Sequence, residues 1–199
     1  MLIIGVTGGI GTGKTTIAEI FRNLGAVALN ADEIAHRIVA PDTVAWGKIR
    51  DYFGAGALDK DGRINRRALA EKAFADRAGL DKLCGIIHPL VYLEIGRLIR
   101  SIKKTDPGAV VVVDAPLLLE SCGNLKVDKL VVVICHRDIQ IERAQKRLKQ
   151  TRAHILRRIR AQMPLKDKMK AADFVVDNNG SRLSAKRQVL KIWRKLTGL

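Results

Sequence analysis

The chain has 199 residues, of which 47% are hydrophobic and 4% aromatic, and its formal net charge at pH 7 is +16. This length predicts one domain. The composition predicts a core of aliphatic side chains, as in a parallel sheet covered by helices. No stretch reaches the roughly 18 apolar residues of a membrane span, and the N-terminal apolar run is too short for a signal peptide. The three cysteines are widely spaced and match no metal-binding pattern, which is typical of reduced thiols in a cytoplasmic protein.

Five short aliphatic runs predict the strands of one sheet. In chain order they are LIIGV (2–6), AVALN (26–30), AVVVVD (109–114), KLVVVI (129–134) and DFVVDN (173–178). Residues 14–24 have helical spacing, and further helical patterns lie between the other runs. This alternation predicts an α/β fold with a doubly wound, five-stranded parallel sheet.

Two stretches lack a strand and interrupt the alternation. Residues 31–105 are predicted to form a helical insertion with helices over 65–74 and 89–103. Residues 136–170 are polar, basic and helical. The charge is concentrated in the last third of the chain, since residues 137–199 contain 18 lysines and arginines against 5 aspartates and glutamates. Such charge attracts polyanions, either nucleic acid or a substrate that carries several phosphates.

The segment GVTGGIGTGKTT (5–16) contains the pattern G-x-x-x-x-G-K-[ST] between the first predicted strand and the first predicted helix. Its glycines allow backbone N–H groups to surround phosphate oxygens, and the helix N-terminus adds partial positive charge. Lys14 is predicted to bridge the β- and γ-phosphates of ATP, and the Thr15 hydroxyl to bind Mg²⁺. The predicted nucleotide-binding residues of this P-loop are Gly8, Gly9, Gly11, Thr12, Gly13, Lys14, Thr15 and Thr16.

The loop alone does not specify a reaction, because P-loops occur in GTPases, motors and small-molecule kinases. The guanine-reading pattern N-K-x-D is absent from the sequence, and the length leaves no room for the further domains of a motor. The P-loop fold of a small-molecule kinase is therefore favoured.

Asp32 follows one predicted strand and Asp114 ends another, at the edge of the sheet where ligands gather in such folds. Asp32 is a candidate general base that takes the proton of an acceptor hydroxyl; alternatively, it caps the helix that begins near Glu33. Asp114 is a candidate Mg²⁺ ligand; alternatively, it is a strand-end carboxylate bound by backbone amides. Glu120 is either part of the site or a solvated loop residue.

Seven segments of the sequence occur in the order found in dephospho-CoA kinases, a family that the chain resembles from Leu2 to about Gly180. They are GVTGGIGTGKTT, NADEIA, DGRINRRAL, HPLV, APLLLE, RDIQIERAQKR and ADFVVDNNG. The resemblance implies ATP-dependent phosphorylation of the ribose 3′-hydroxyl of dephospho-CoA, the final step of coenzyme A biosynthesis. The family usually has Asp-x-Asp where this chain has Asn30-Ala31-Asp32, so the implied base is retained while the first position keeps its hydrogen bonding and loses its charge.

The resemblance also implies how the chain is organised. Residues 1–30, 106–135 and 171–199 would form a nucleotide-binding core, 31–105 an acceptor-binding insertion and 136–170 a basic lid, all within one P-loop kinase domain. The implied acceptor-binding residues are Asp32, Arg66, His88, Pro116 and Leu117. His88, which with Pro89 would open a helix, can equally be a buried structural histidine.

Arginines of the basic segment are candidates for contact with the triphosphate. Arg143 and Arg147 are four residues apart, on one helix face, and Arg158 lies in the motif RIRAQ (158–162). A lid that brings arginines over the triphosphate stabilises the transferring phosphoryl group and excludes water. We expect Arg147 to be catalytic, together with Asp32 and Lys14, and Arg143 to bind the nucleotide. Asn178, after the fifth strand, is expected to contact adenine.

Two other functions remain open on the sequence: a nucleic-acid-binding P-loop ATPase, and a kinase of another nucleotide-like acceptor. Against the first, Phe174 and Trp193 are the only aromatic residues between 137 and 199, and both lie in apolar patterns that predict core positions rather than base stacking. We therefore expect ATP, Mg²⁺ and dephospho-CoA as ligands, no nucleic-acid or membrane partner, and a cytoplasmic location.

Overall fold

A computed structural model describes residues 1–73, 75–120 and 125–198. In chain order the elements are β1 (Leu2–Gly8), α1 (Lys14–Asn23), β2 (Val27–Asn30), α2 (Ala31–Ile38), α3 (Val44–Phe53), a 3₁₀ turn (Ala55–Ala57), α4 (Arg66–Ala73), α5 (Arg77–Thr105), β3 (Val110–Asp114), β4 (Lys129–Ile134), α6 (Arg137–Leu148), α7 (Arg152–Arg160), α8 (Leu165–Lys170), β5 (Phe174–Asp177) and α9 (Arg182–Thr197). Among the described helices, none combines the length and the hydrophobicity that crossing a membrane requires.

The five strands form one sheet in the order β2-β3-β1-β4-β5, and every neighbouring pair is parallel. The central strand β1 places Val6 opposite Asp114 of β3, so the loop that follows β1 and the end of β3 lie at the same edge. Asn30 of β2 is the register partner of Asp114 on the other side. The predicted α/β class and all five strands are confirmed.

The sheet is buried because helices cover it. Val111–Val113 and Val131–Val133 have no exposed surface, as expected for β-branched strands that are covered on both faces. On one side, Ile17 and Phe21 of α1 pack in a cluster with Val189 and Trp193 of α9. The Trp193 ring lies 6.3 Å from that of Phe21, which confirms its predicted core position.

The described residues form two compact units. Residues 1–30, 99–120 and 126–198 form one, here called the sheet unit; residues 31–73, 75–98 and 125 form the other, here called the helical unit. The helical unit has an apolar cluster of its own, which includes Ile49, Leu69 and Ile86. The predicted roles of core, acceptor-binding insertion and lid stay predictions.

The helix boundaries in the helical unit agree with the sequence at one place and differ at another. Helix α4 matches the predicted 65–74, whose last residue, Phe74, lies outside the described residues. The prediction that a helix opens at Pro89 is wrong, because α5 begins at Arg77 and contains Pro89. Pro89 leaves the carbonyl of Gly85 without its helical donor, and the exposed position of Gly85 lets water supply one.

Candidate active site

The P-loop joins the end of β1 to the start of α1. Gly11 and Gly13 have φ angles of 76° and 90°, in the left-handed region that favours glycine. A Cβ atom would meet the Gln140 carbonyl oxygen at Gly11 and the Asn178 side-chain amide at Gly13. Glycine is therefore required at both positions by the backbone conformation and by the neighbours that approach it.

Hydrogen bonds within the loop hold its shape. The ammonium of Lys14 and the hydroxyl of Thr12 both donate to the Gly9 carbonyl, each at 2.9 Å. Thr12 is fully buried, and Lys14 is 8% exposed. The lysine charge is thus held beside the backbone of the loop, where a phosphate oxygen can take over its hydrogen bond.

Asn178 supports the loop from the end of β5. Its side-chain Nδ2 donates to the Thr12 backbone carbonyl at 2.8 Å, and its backbone carbonyl accepts from Arg143 Nη1 at 2.9 Å. Both contacts lie in the sheet unit, and Asn178 is 7% exposed. The adenine contact of Asn178 stays a prediction, but its amide nitrogen already binds the P-loop.

The segment α6–α7 and Gln162, which follows α7, also support the P-loop, and no sequence motif singled out Gln162 for this role. The Ile10 amide donates to Gln162 Oε1 at 2.8 Å, and the Ile10 side chain packs with Ile141 and Ile155. Gln162 is the last residue of the motif RIRAQ, which begins with Arg158. Arg158 itself is exposed, and its contact with the triphosphate stays a prediction.

Thr15 and Asp114 form the candidate metal site. The Thr15 hydroxyl donates to Asp114 Oδ2 at 2.8 Å, and Asp114 is 5% exposed. A hydroxyl and a carboxylate suit Mg²⁺, which takes oxygen ligands and completes its shell with water and substrate phosphates. The described residues contain no group of three or more His, Cys, Asp or Glu side chains able to hold a metal. The binding of Mg²⁺ by Thr15 and Asp114 stays a prediction.

The loop after β3 carries the predicted acceptor-binding residues Pro116 and Leu117. The Pro116 carbonyl accepts from Thr7 Oγ1 at 3.2 Å and from Lys168 Nζ at 2.8 Å. Lys168 Nζ also lies 2.8 Å from Glu120 Oε1. Glu120 is therefore an ion-pair partner rather than a solvated loop residue. No pattern in the sequence distinguishes Lys168 from the exposed lysines around it.

Three predicted acceptor-side residues belong to the helical unit. Asp32 is exposed and is the second residue of α2, inside the first turn, where an acid interacts favourably with the helix dipole. Arg66 is exposed at the start of α4, and His88 is half-buried in α5. Burial lowers the pKa of His88, so its imidazole is neutral at pH 7.

The described cysteines are not activated nucleophiles. Cys84 and Cys135 are free thiols, and burial raises the pKa of each above its ordinary value. A catalytic cysteine has a lowered pKa instead. Cys122 lies outside the described residues.

The chain matches the family model described as "Dephospho-CoA kinase" over residues 2–184. It is 41% identical to a dephospho-CoA kinase of Carboxydothermus hydrogenoformans over 193 residues, covering 97% of this chain and 93% of that protein. A dephospho-CoA kinase of Geobacillus kaustophilus is also 41% identical, over 100% of this chain and 98% of its own length. The solved dephospho-CoA kinase from Campylobacter jejuni superposes with a TM-score of 0.71 at 27% identity, over 98% of this chain and 97% of that structure.

The chain belongs to the dephospho-CoA kinase family. The resemblance found in the sequence motifs is confirmed, and with it the P-loop kinase fold and the kinase class of enzyme. Within this dephospho-CoA kinase family member, Arg143 and Arg147 both lie on α6. Arg143 binds the Asn178 carbonyl, whereas Arg147 is exposed, and the role of Arg147 on the triphosphate stays a prediction.

Proposed function

We propose that this protein transfers the γ-phosphoryl group of ATP to the ribose 3′-hydroxyl of dephospho-CoA, which completes coenzyme A biosynthesis. The observation that carries the proposal is the P-loop of a dephospho-CoA kinase family member, with Lys14 held at the loop and Thr15 bonded to Asp114. Its substrates would be two phosphate-bearing small molecules, with no nucleic acid partner. The free thiols of Cys84 and Cys135 support a reducing, cytoplasmic location.

On the nucleotide side, the chain supplies positive charge and backbone donors. The P-loop amides would bind the phosphates, and Lys14 would exchange the Gly9 carbonyl for β- and γ-phosphate oxygens. Arg143 would bind the nucleotide, and Arg147 would stabilise the charge of the transferring phosphoryl group. Asn178 would contact adenine with atoms that its bond to Thr12 leaves available.

Mg²⁺ would be held by Thr15 and Asp114, and when bound it supplies positive charge to the phosphate oxygens. Asn30 faces Asp114 in register on the neighbouring strand, in place of the family's usual acid. An amide there adds no negative charge beside Asp114. Asp114 would therefore be the charged protein ligand on this edge.

On the acceptor side, Asp32 would take the proton of the 3′-hydroxyl as that oxygen bonds to the γ-phosphorus and the bond to ADP breaks. Two observations support this role: the match of Asp32 to the second acid of the family motif, and the connectivity of the chain. Asp32 follows Asn30 by two residues, so its Cα stays within about 7 Å of the strand end. Arg66, His88, Pro116 and Leu117 would bind dephospho-CoA.

The experiment that tests the proposal compares acceptors. Purified protein is incubated with ATP and Mg²⁺ and with dephospho-CoA or nucleoside monophosphates in parallel, and ADP release and product phosphates are followed. Turnover with dephospho-CoA, and a new 3′-phosphate, is the expected result. Preferential turnover of a nucleoside monophosphate would favour the other kinase reading, and tight, salt-dependent nucleic acid binding without acceptor turnover would favour the ATPase reading.

A further inference from the structure

Lys168, in the short helix α8, has a side chain with no exposed surface. Its Nζ lies 2.8 Å from the Pro116 carbonyl oxygen and 2.8 Å from Glu120 Oε1. An ammonium group taken out of water is costly unless it is paired and hydrogen-bonded. These contacts give Lys168 that compensation, in the sheet unit and at the loop that follows Asp114.

A buried ion pair is weak support for stability, because apolar side chains of similar size often stabilise a protein as well or better. What the pair does here is fix the loop at two points. Pro116 is held through its carbonyl, which also accepts from Thr7 Oγ1 at 3.2 Å. Glu120 is held through its carboxylate, which also accepts from the Met163 amide at 3.1 Å. The residues between, which include Leu117, are thereby constrained at both ends.

We propose that Lys168 is a positioning residue, which fixes the loop Pro116–Glu120 in the conformation that binds the acceptor. The inference rests on the proposed function, in which Pro116 and Leu117 bind dephospho-CoA. The same segment of the chain supports the other substrate loop, because Gln162 accepts from the Ile10 amide of the P-loop. Residues 162–168 thus hold both loops, through separate side chains that can be changed one at a time.

The decisive variant is Lys168→Met combined with Glu120→Gln. Lys168→Met alone leaves the Glu120 carboxylate buried without its cation, and that variant is expected to unfold at a lower temperature. The double variant removes both charges, so its unfolding temperature should recover towards that of the wild type, while the ammonium bond to Pro116 stays lost. Lys166→Met is the matched control, since Lys166 is exposed on the same helix.

In the double variant we expect the KM for dephospho-CoA to rise about tenfold, the effect of one lost charge-assisted hydrogen bond. The KM for ATP should stay within about threefold, because the bond of Gln162 to Ile10 is untouched. An unchanged KM for dephospho-CoA would overturn the proposal. The proposal would also be overturned if both KM values rose by the same factor and kcat fell, because that result indicates general disruption. If the double variant does not fold, the same KM is measured for Lys168→Met below its unfolding temperature, and no rise there would overturn the proposal.

A measurement without substrate separates this proposal from the proposed function. The Leu118 and Glu120 amides donate to Ala115 and Leu117 within the loop, and their hydrogen exchange reports its order. Exchange should be faster at these amides in the double variant and unchanged in Lys166→Met; equal rates in all three proteins would refute the role of Lys168. If the wild type fails to turn over dephospho-CoA, the proposed function falls while this measurement still decides whether Lys168 orders the loop.

Discussion

Replacing Asn178 by alanine should destabilise the protein even without nucleotide. The Asn178 amide donates to the Thr12 carbonyl at 2.8 Å, and both residues are buried. In Asn178→Ala that carbonyl loses its donor where water does not reach it. A buried acceptor left in this way costs about 1–3 kcal/mol, and we take about 2 kcal/mol as the expected loss. In a chain of this length each kcal/mol lowers Tm by about 2–4 °C, so Tm should fall by about 4–8 °C.

The assay is thermal unfolding of the nucleotide-free protein, followed by circular dichroism. Asn23→Ala is the matched control, because Asn23 is an exposed asparagine in α1 and belongs to the same unit. Exposed substitutions usually change stability by less than about 0.5 kcal/mol, so its Tm should move by no more than about 2 °C. The KM for ATP should also rise in Asn178→Ala, since Thr12 belongs to the P-loop.

The two roles of Asn178 separate in this comparison. If the amide only contacts adenine, then the unfolding temperature of the nucleotide-free protein stays at that of the control, and ATP affinity alone falls. A Tm shift in Asn178→Ala that equals that of Asn23→Ala would therefore refute the argument that Asn178 supports the P-loop.

Further variants test the charged groups of the site. Lys14→Ala should reduce turnover by at least about 10²-fold with its circular dichroism spectrum unchanged, because Thr12 still donates to Gly9; near-normal turnover would remove Lys14 from the chemistry. Asp32→Asn should lower kcat by about 10²–10⁴-fold and leave the KM for dephospho-CoA within about threefold, and a change in KM alone would make Asp32 a binding residue. Because burial lowers the pKa of His88 in the folded state, the unfolded chain binds more protons at mildly acidic pH, and stability is lost as pH falls below about 6.5. His88→Gln should show a smaller drop in Tm than the wild type between about pH 7.5 and about pH 5.5, and equal drops would contradict this.

The sheet and the P-loop were predictable from sequence because both depend on local patterns. Continuous β-branched runs have few alternatives to buried parallel strands, and G-x-x-x-x-G-K-[ST] specifies a backbone conformation directly. The start of α5 was not predictable in the same way. A proline usually ends a helical pattern, and only the exposed position of Gly85 explains why Pro89 is tolerated inside one.

The supports of the site could not be predicted, because they join residues distant in the sequence. Gln162 is 152 residues from Ile10, Asn178 is 166 from Thr12, and Lys168 is 52 from Pro116. No periodicity or spacing links such pairs in one sequence. Lys168 is the clearest case: it lies in LKDKMK, a polar pattern that predicts solvated lysines, and tertiary packing alone makes one of them buried.

The basic C-terminal third of the chain combines a strongly positive surface with aromatic side chains that pack in the fold. Helix α9 contains six lysines and arginines and no acid, and its apolar face is buried against the sheet. The two large aromatic side chains of the described residues 137–198 already serve the fold: Trp193 packs on Phe21, and Lys195 covers the ring of Phe174. Trp193 is 9% exposed and Phe174 is half-buried, and the absence of a nucleic-acid partner stays a prediction. Long-range attraction by the positive charge raises the encounter rate with any phosphate-bearing ligand, and the two substrates of the proposed reaction are both of that kind.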